Sequence, residues 1–201
     1  MKIDAVVIRH PTPGAPKLLT EFIDAVIINA GDGTHEHPTQ AIIDMMSLHE
    51  KFGKLKGLKV GIIGDISHSR VALSNIHGLL IMGADVTLCG PPNLIPPFIK
   101  DLGVNINYNV DEVIEWADAL NILRIQRERM GLGLVPSVRE YRAMFGITQE
   151  RLESHQKEIV IMHPGPMNRG VEIDGTVADG DQAIILDQVL NGVASRMAIL
   201  Y

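Results

Sequence analysis

Six short runs rich in Val, Ile and Leu punctuate this chain at a spacing that leaves room for one helix between most neighbours: AVVI (5–8), VIIN (26–29), LKVGIIGD (58–65), DVTLC (85–89), ALNIL (119–123) and EIVIM (158–162). Near-continuous apolar strands of this length are buried on both faces. The intervening stretches carry helical periodicity at about 15–24, 38–52, 69–82, 93–101, 111–117 and 137–143. The alternation predicts an α/β fold with a doubly wound parallel sheet, its strand C-termini along one edge. QAIILDQVLNGVASRMAILY (182–201) reads as a closing amphipathic helix with Gly192 as its weak point. GPPNLIPP (90–97) reads as a surface connection. A loop as long as the turn-rich 164–181 is functional or disordered, and here a functional one is expected. No internal repeat is seen.

The remaining composition narrows the class. With 201 residues, 46% hydrophobic and 21% charged, the chain can bury a substantial core. A net charge of −6 disfavours non-specific binding to nucleic acid but leaves room for a locally cationic cleft. No run reaches the ~18 apolar residues of a membrane span. There is no basic-then-apolar leader at Met1, and Cys89 is the lone cysteine, so neither an internal disulfide nor a thiolate zinc cluster can form. The expectation is a soluble, cytoplasmic protein.

The strand ends carry the chemistry. AVVI is followed by Arg9-His10-Pro11, and VIIN by GDGTHEHPTQ (31–40). LKVGIIGD leads to Arg70, ALNIL to Arg124-Ile125-Gln126, and EIVIM to His163-Pro164-Gly165-Pro166. Only the end at Cys89 brings no Arg, His or Gln. Pro38 suits the first turn of a helix that stops at Gly53, so His37 and Gln40 fall beside unpaired backbone N–H groups and the positive dipole end, where a small anion is held. Arg124 and Gln126, two apart, share a side in extended backbone. Two guanidinium forks, Arg70 and Arg124, suit a dicarboxylate. Pro164 and Gly165 hold stiff backbone carbonyls, and Gly165–Pro166 is a candidate for a cis bond.

Blander readings compete at several positions. His10, His68 and His77 are expected to be structural. His35 and His37 lie in a turn rather than a strand, which weakens a metal pair. GIIGDISHSR lacks the glycine spacing of a dinucleotide-binding turn. Asp32 is expected to bind turn backbone rather than pair with Glu36 for acid–base work.

VIRHP (7–11), NAGDGTHEHPTQ (29–40), GDISHSR (64–70), LRIQRER (123–129) and HPGPMNRGVEI (163–173), in this order, resemble the catalytic chains of the aspartate transcarbamoylase (aspartate carbamoyltransferase) family. HPTQ is shared with the ornithine enzymes, but those are expected to carry His-Cys-Leu-Pro where this chain has Pro164 after His163. The resemblance implies transfer of a carbamoyl group from carbamoyl phosphate to L-aspartate, an early step of pyrimidine biosynthesis, with no metal or organic cofactor. It implies that Arg9 and His37 donate to the carbamoyl oxygen and that Gln40 contacts the carbamoyl amide. Arg70, Arg124 and Gln126 would grip the aspartate carboxylates, and the Pro164 and Gly165 carbonyls would orient the nitrogens. It implies a homotrimer, with regulatory or dihydroorotase chains as further partners. By the same resemblance, 1–38 is the tail of a carbamoyl phosphate domain, 39–182 an aspartate-binding domain and 183–201 a helix returning to the first. The family's Ser-Thr-Arg-Thr phosphate motif and Ser/Lys loop are not in this sequence. The chain is therefore expected to be the C-terminal two-thirds of a catalytic chain and nearly inactive alone. A non-catalytic binding or scaffolding module of this fold and a transcarbamoylase for ornithine are the alternatives.

Overall fold

The computed structural model describes residues 3–125 and 137–201. Every strand predicted from an apolar run is present, though not in one sheet. β1 (Ala5–His10) and β2 (Val26–Asp32) form a parallel pair of their own, joined through the short helix α1 (Ala15–Leu19). The remaining strands, β3 (Lys59–Ile63), β4 (Asp85–Cys89), β5 (Asn105–Ile106), β6 (Ala119–Ile122) and β7 (Val160–Met162), form a parallel five-stranded sheet ordered β5-β4-β3-β6-β7. A single common edge is thus replaced by two sheet ends that meet. Helix α2 (Pro38–Phe52) bridges them: it follows β2 directly and packs on α3 (Arg70–Ile81) of the larger unit.

The large sheet is covered on both faces, as its unbroken apolar strands require. Val60, Ile62 and Met162 join one core with Leu48, Ile76 and Leu79; Ile63, Leu120, Ile122 and Ile161 join the other with Val113, Ile114 and Tyr141. Gly61 lets α4 (Val110–Trp116) approach closely, since a Cβ there would lie 2.8 Å from Val113. From β3 the order runs outward to β4 and β5 on one side and to β6 and β7 on the other. The crevice between the ends of β3 and β6 is therefore the switch point where ligands bind in open α/β sheets.

Differences from the sequence reading cluster where periodicity is too short to register. The segment 93–101 is two 3₁₀ turns, Pro92–Leu94 and Ile99–Leu102, rather than one helix. After α5 (Val138–Phe145) come two helices without a predicted counterpart, α6 (Gln149–His155) and α7 (Gly175–Ala178), the latter inside the turn-rich stretch. The closing helix α8 (Ile185–Leu200) is amphipathic in an inverted sense. Gln188, Asn191 and Ser195 face inward against α2, while Leu186, Val189, Leu190, Val193 and Met197 are exposed. Buried polar groups need partners. Asn191 donates to Ser47 Oγ at 3.0 Å and to Glu50 at 2.6 Å, and Gln188 donates to Asp44 at 2.8 Å. No helix among the described residues is long and apolar enough to cross a membrane.

Candidate active site

A cleft of about 320 Å³ opens where the ends of the two sheets meet; its walls include Arg9, His37, Gln40, His68, Ser69, Arg70, Leu123, Arg124, Pro164, Gly165 and Arg196. Arg9, His37, Gln40, Arg70, Arg124, Pro164 and Gly165, the residues to which the resemblance assigns substrate contacts, are gathered here. Gln126 lies outside the described residues. His68, Ser69 and Arg196 come in addition.

His37 ends the turn after β2 and caps α2. Its backbone N–H donates to Ser74 Oγ at 2.9 Å, and its Nδ1 lies 3.3 Å from the Thr39 hydroxyl. A Thr39 hydroxyl donating to Nδ1 leaves the ring proton on Nε2. Burial, followed by the charges of Arg9, Arg70 and Arg196, pulls the pKa of this imidazole down from 6.5 to about 4. At neutral pH it is therefore an uncharged donor in a cationic cleft. The depression has a consequence for stability. As pH falls below 6.5 the unfolded chain takes up a proton here before the folded one does, so stability declines between pH 6.5 and 4. His37→Gln is expected to flatten that decline, read as a smaller drop in urea midpoint between pH 7.5 and 5 than the unsubstituted protein shows. Equal drops would refute the depressed titration.

Gln40, one turn into α2, is buried and donates from Nε2 to Asp44 Oδ1 at 2.9 Å. Arg70 is the first residue of α3, whose N-terminus Ser69 caps by accepting the Ala72 N–H at 3.2 Å. Its guanidinium fits against Gly31, where a Cβ would lie 3.0 Å from Nη1 and where φ is +114°, a conformation that only glycine adopts readily. Arg124 follows β6. Its backbone is pinned on both sides, by Leu123 N–H donating to Ile63 O at 2.8 Å and by Asn168 Nδ2 donating to Ile125 O at 2.8 Å.

The His163–Pro166 turn is held from within. The His163 N–H donates to Gln188 Oε1 at 3.0 Å, and Gly165 N–H donates to His163 Nδ1 at 2.9 Å. Gly165 has φ +65° and the Gly165–Pro166 bond is cis. Behind the turn, inside the stretch expected to be functional, Glu172 is fully buried 3.5 Å from His163 Nε2.

The other histidines considered and Asp32 lie outside this cleft or are bound to the local turn. His10 accepts the Thr12 N–H at 3.0 Å, and His77 is exposed on α3. His68 lines the cleft, but its backbone N–H and ring both bind Asp65 in the turn before α3. The His35 ring meets Asp32 at 3.1 Å, whereas the His37 ring meets Thr39, so the two imidazoles do not share these partners. Asp32 accepts the Gly14 N–H at 2.7 Å and the Glu36 N–H at 3.1 Å. Burial opposes its charge, but the bonds from Asn29, Gly14 and His35 hold its carboxyl below the usual range. Burial also pushes the Cys89 thiol up to about 12, far from a nucleophile's range.

Comparison with known proteins gives the cleft its context. Residues 56–201 match the Asp/Orn binding domain of aspartate/ornithine carbamoyltransferase, and residues 1–50 match its carbamoyl-P binding domain. The aspartate carbamoyltransferase catalytic subunit of Gemmatimonas aurantiaca is 58% identical over 201 residues, all of this chain and 63% of that protein. That of Moorella thermoacetica is 56% identical over 201 residues, 66% of its own length. The chain thus spans a little under two-thirds of the length of these relatives. Among solved structures, aspartate transcarbamoylase from Trypanosoma cruzi in complex with carbamoyl phosphate superposes with a TM-score of 0.85 at 30% identity, over 98% of this chain and 65% of that one. Ornithine carbamoyltransferase from Pyrococcus furiosus shares the fold, with a TM-score of 0.83 at 23% identity over 98% of this chain and 66% of that one.

Proposed function

The chain belongs to the aspartate/ornithine carbamoyltransferase family, and from that premise we propose that its cleft transfers a carbamoyl group from carbamoyl phosphate to the α-amine of L-aspartate. The amine nitrogen attacks the carbamoyl carbon, the bond from that carbon to the phosphate oxygen breaks, and the amine sheds a proton. The products are N-carbamoyl-L-aspartate and phosphate. The observation that carries this reading is the meeting of two guanidinium groups, Arg70 and Arg124, with Arg9, His37, Gln40 and the Pro164–Gly165 turn in one crevice.

Each group has a chemical task suited to its place. Arg9 and the Nε2–H of His37 donate to the carbamoyl oxygen as negative charge develops there; a lost donor of this kind costs about 10²–10³ in rate. A neutral His37 suits this task, because it donates without spending its proton. Gln40 meets the carbamoyl NH₂. Arg70 and Arg124, with Gln126 beyond the described residues, take the two carboxylates, and the Pro164 and Gly165 carbonyls accept from the reacting nitrogens. Positioning supplies much of the rate, since it turns an encounter of two substrates into an oriented contact. Arg196, absent from the sequence-derived set, adds positive charge beside His37. We place the aspartate-binding region at 39–182, with 1–38 and 183–201 on the carbamoyl phosphate side, and the protein as a cytoplasmic homotrimer of pyrimidine biosynthesis.

Relatives of known structure support the substrate pair: the Trypanosoma cruzi enzyme has been solved with carbamoyl phosphate and aspartate, and with N-(phosphonacetyl)-L-aspartic acid. The reading is tested by calorimetric titration of the purified protein with that last compound, with L-aspartate and L-ornithine as competitors, and by carbamoyl transfer to both amino acids. Binding of the analogue and competition by aspartate are expected, and whatever product forms is expected to depend on aspartate. Competition or product with ornithine instead would reject the reading.

A further inference from the structure

Asp44 is a fully buried carboxylate that the mechanism above leaves unused. It sits one turn after Gln40 on α2, with no exposed surface. Four side-chain amide nitrogens reach it: Gln40 at 2.9 Å and Gln188 at 2.8 Å on Oδ1, Asn75 at 2.7 Å and Asn121 at 3.1 Å on Oδ2. These come from α2, α8, α3 and β6. Burial raises the pKa of the carboxyl, and the four donated bonds act in the opposite direction.

The orientation of the Gln188 amide is fixed from both ends. Gln188 Oε1 accepts the His163 N–H, so its nitrogen must turn to Asp44. Both Asp44 oxygens accept from amide nitrogens, and Gln40 Nε2 is one of those donors, which leaves the Gln40 carbonyl oxygen for the cleft that Gln40 lines. A carbamoyl NH₂ is a donor and requires that oxygen. An amide free to rotate would offer its own NH₂ half the time, donor against donor.

We propose that Asp44 is a positioning residue for carbamoyl transfer: it fixes the Gln40 amide with its oxygen toward the carbamoyl NH₂ and, through Gln188, steadies the His163–Pro166 turn on the aspartate side. The inference rests on the carbamoyl-transfer reading.

The test exploits acetyl phosphate, which carries a methyl group where carbamoyl phosphate carries NH₂. Binding of both is measured by calorimetry on the unsubstituted protein and on Asp44→Asn, with thermal melting alongside. The unsubstituted protein is expected to prefer carbamoyl phosphate. Asp44→Asn is expected to lose about tenfold in affinity for carbamoyl phosphate, the worth of one hydrogen bond, and little for acetyl phosphate. A similar loss for both ligands, or none for either, overturns the proposal, because a defect of folding alone cannot tell the two apart. In the double variant Asp44→Asn with Gln40→Glu, the new carboxylate accepts from the asparagine and keeps an oxygen for the substrate. It is expected to regain the preference, and its failure to do so also overturns the proposal, including where Asp44→Asn alone does not fold. A protein that never distinguishes the two phosphates refutes the functional reading instead. The positioning role is then judged from the Gln40 and Gln188 side-chain amide resonances of nitrogen-labelled protein, which Asp44→Asn must shift; unshifted resonances reject it.

Discussion

Arg124→Ala is expected to raise the L-aspartate concentration needed for half-saturation by about 10- to 100-fold while leaving the carbamoyl phosphate requirement within about threefold. The range is that of a charge-assisted hydrogen bond to a carboxylate, ~1.5–3 kcal/mol, lost without a replacement. Selectivity for one substrate follows from the geometry. The backbone at this position is pinned by Leu123 N–H to Ile63 O and by Asn168 to Ile125 O, neither of which uses the Arg124 side chain. Truncation therefore removes the guanidinium while the backbone bonds that place this strand end stay made. Nor does Arg124 belong to the group of cations that depresses the His37 pKa, which consists of Arg9, Arg70 and Arg196. Arg70→Ala should behave differently. Its charge acts on His37 as well as on a carboxylate, so both substrates should be affected and the His37 titration should move up toward 6.5. Equal effects of Arg124→Ala on the two substrates would sink the role given to that residue.

The contrast between those two arginines is not legible in the sequence, although both residues are. Strand ends announce themselves because an apolar run stops at a polar residue, and Arg9, His37, Arg70, Arg124 and Pro164 were all reached that way. What periodicity cannot say is which strands share a sheet: among the described residues β1 and β2 pair with each other, so the cleft is a junction of two sheet ends rather than one edge. The short pieces α6, α7 and β5 escape for a simpler reason, being at most two helical turns or a single pair of residues. Arg196 escapes as well, because it lies on a closing helix whose periodicity shows only an ordinary amphipathic element. A usable signal was present, since Gln188, Asn191 and Ser195 recur at helical spacing on one face among apolar neighbours. Such a stripe can equally be solvent-facing. Only the tertiary partners, Asp44, Ser47 and Met46, show that it faces inward.

Gly90→Ala should do more damage than its place at the start of a proline-rich surface connection suggests. A Cβ there would stand 2.3 Å from the carbonyl oxygen of Gly64, a backbone atom with nowhere to swing. Gly64 is itself committed. Its N–H donates to Cys89 O at 2.8 Å, its φ is +128°, and a Cβ on it would meet Leu123 O at 3.0 Å. The ends of β3, β4 and β6 thus interlock through backbone, and pressure on Gly64 passes two ways. Forward along the chain it reaches Asp65, which holds His68 and the turn into Arg70. Sideways it reaches Leu123, the neighbour of Arg124. The expected cost is about 3 kcal/mol of stability, the upper part of the range for overpacking, with aspartate binding weakened in the fraction that folds because both gripping arginines shift. Gly103→Ala supplies the comparison. Gly103 also has positive φ, +93°, but nothing lies within 4 Å of its would-be Cβ. It should therefore cost only the ~1–2 kcal/mol of a left-handed alanine and leave aspartate affinity untouched. Urea denaturation and aspartate titration of the two variants side by side decide the matter: a Gly90→Ala protein as mild as Gly103→Ala on both measures would mean that the strand ends give way freely and that the arginine pair is positioned by something other than this backbone contact.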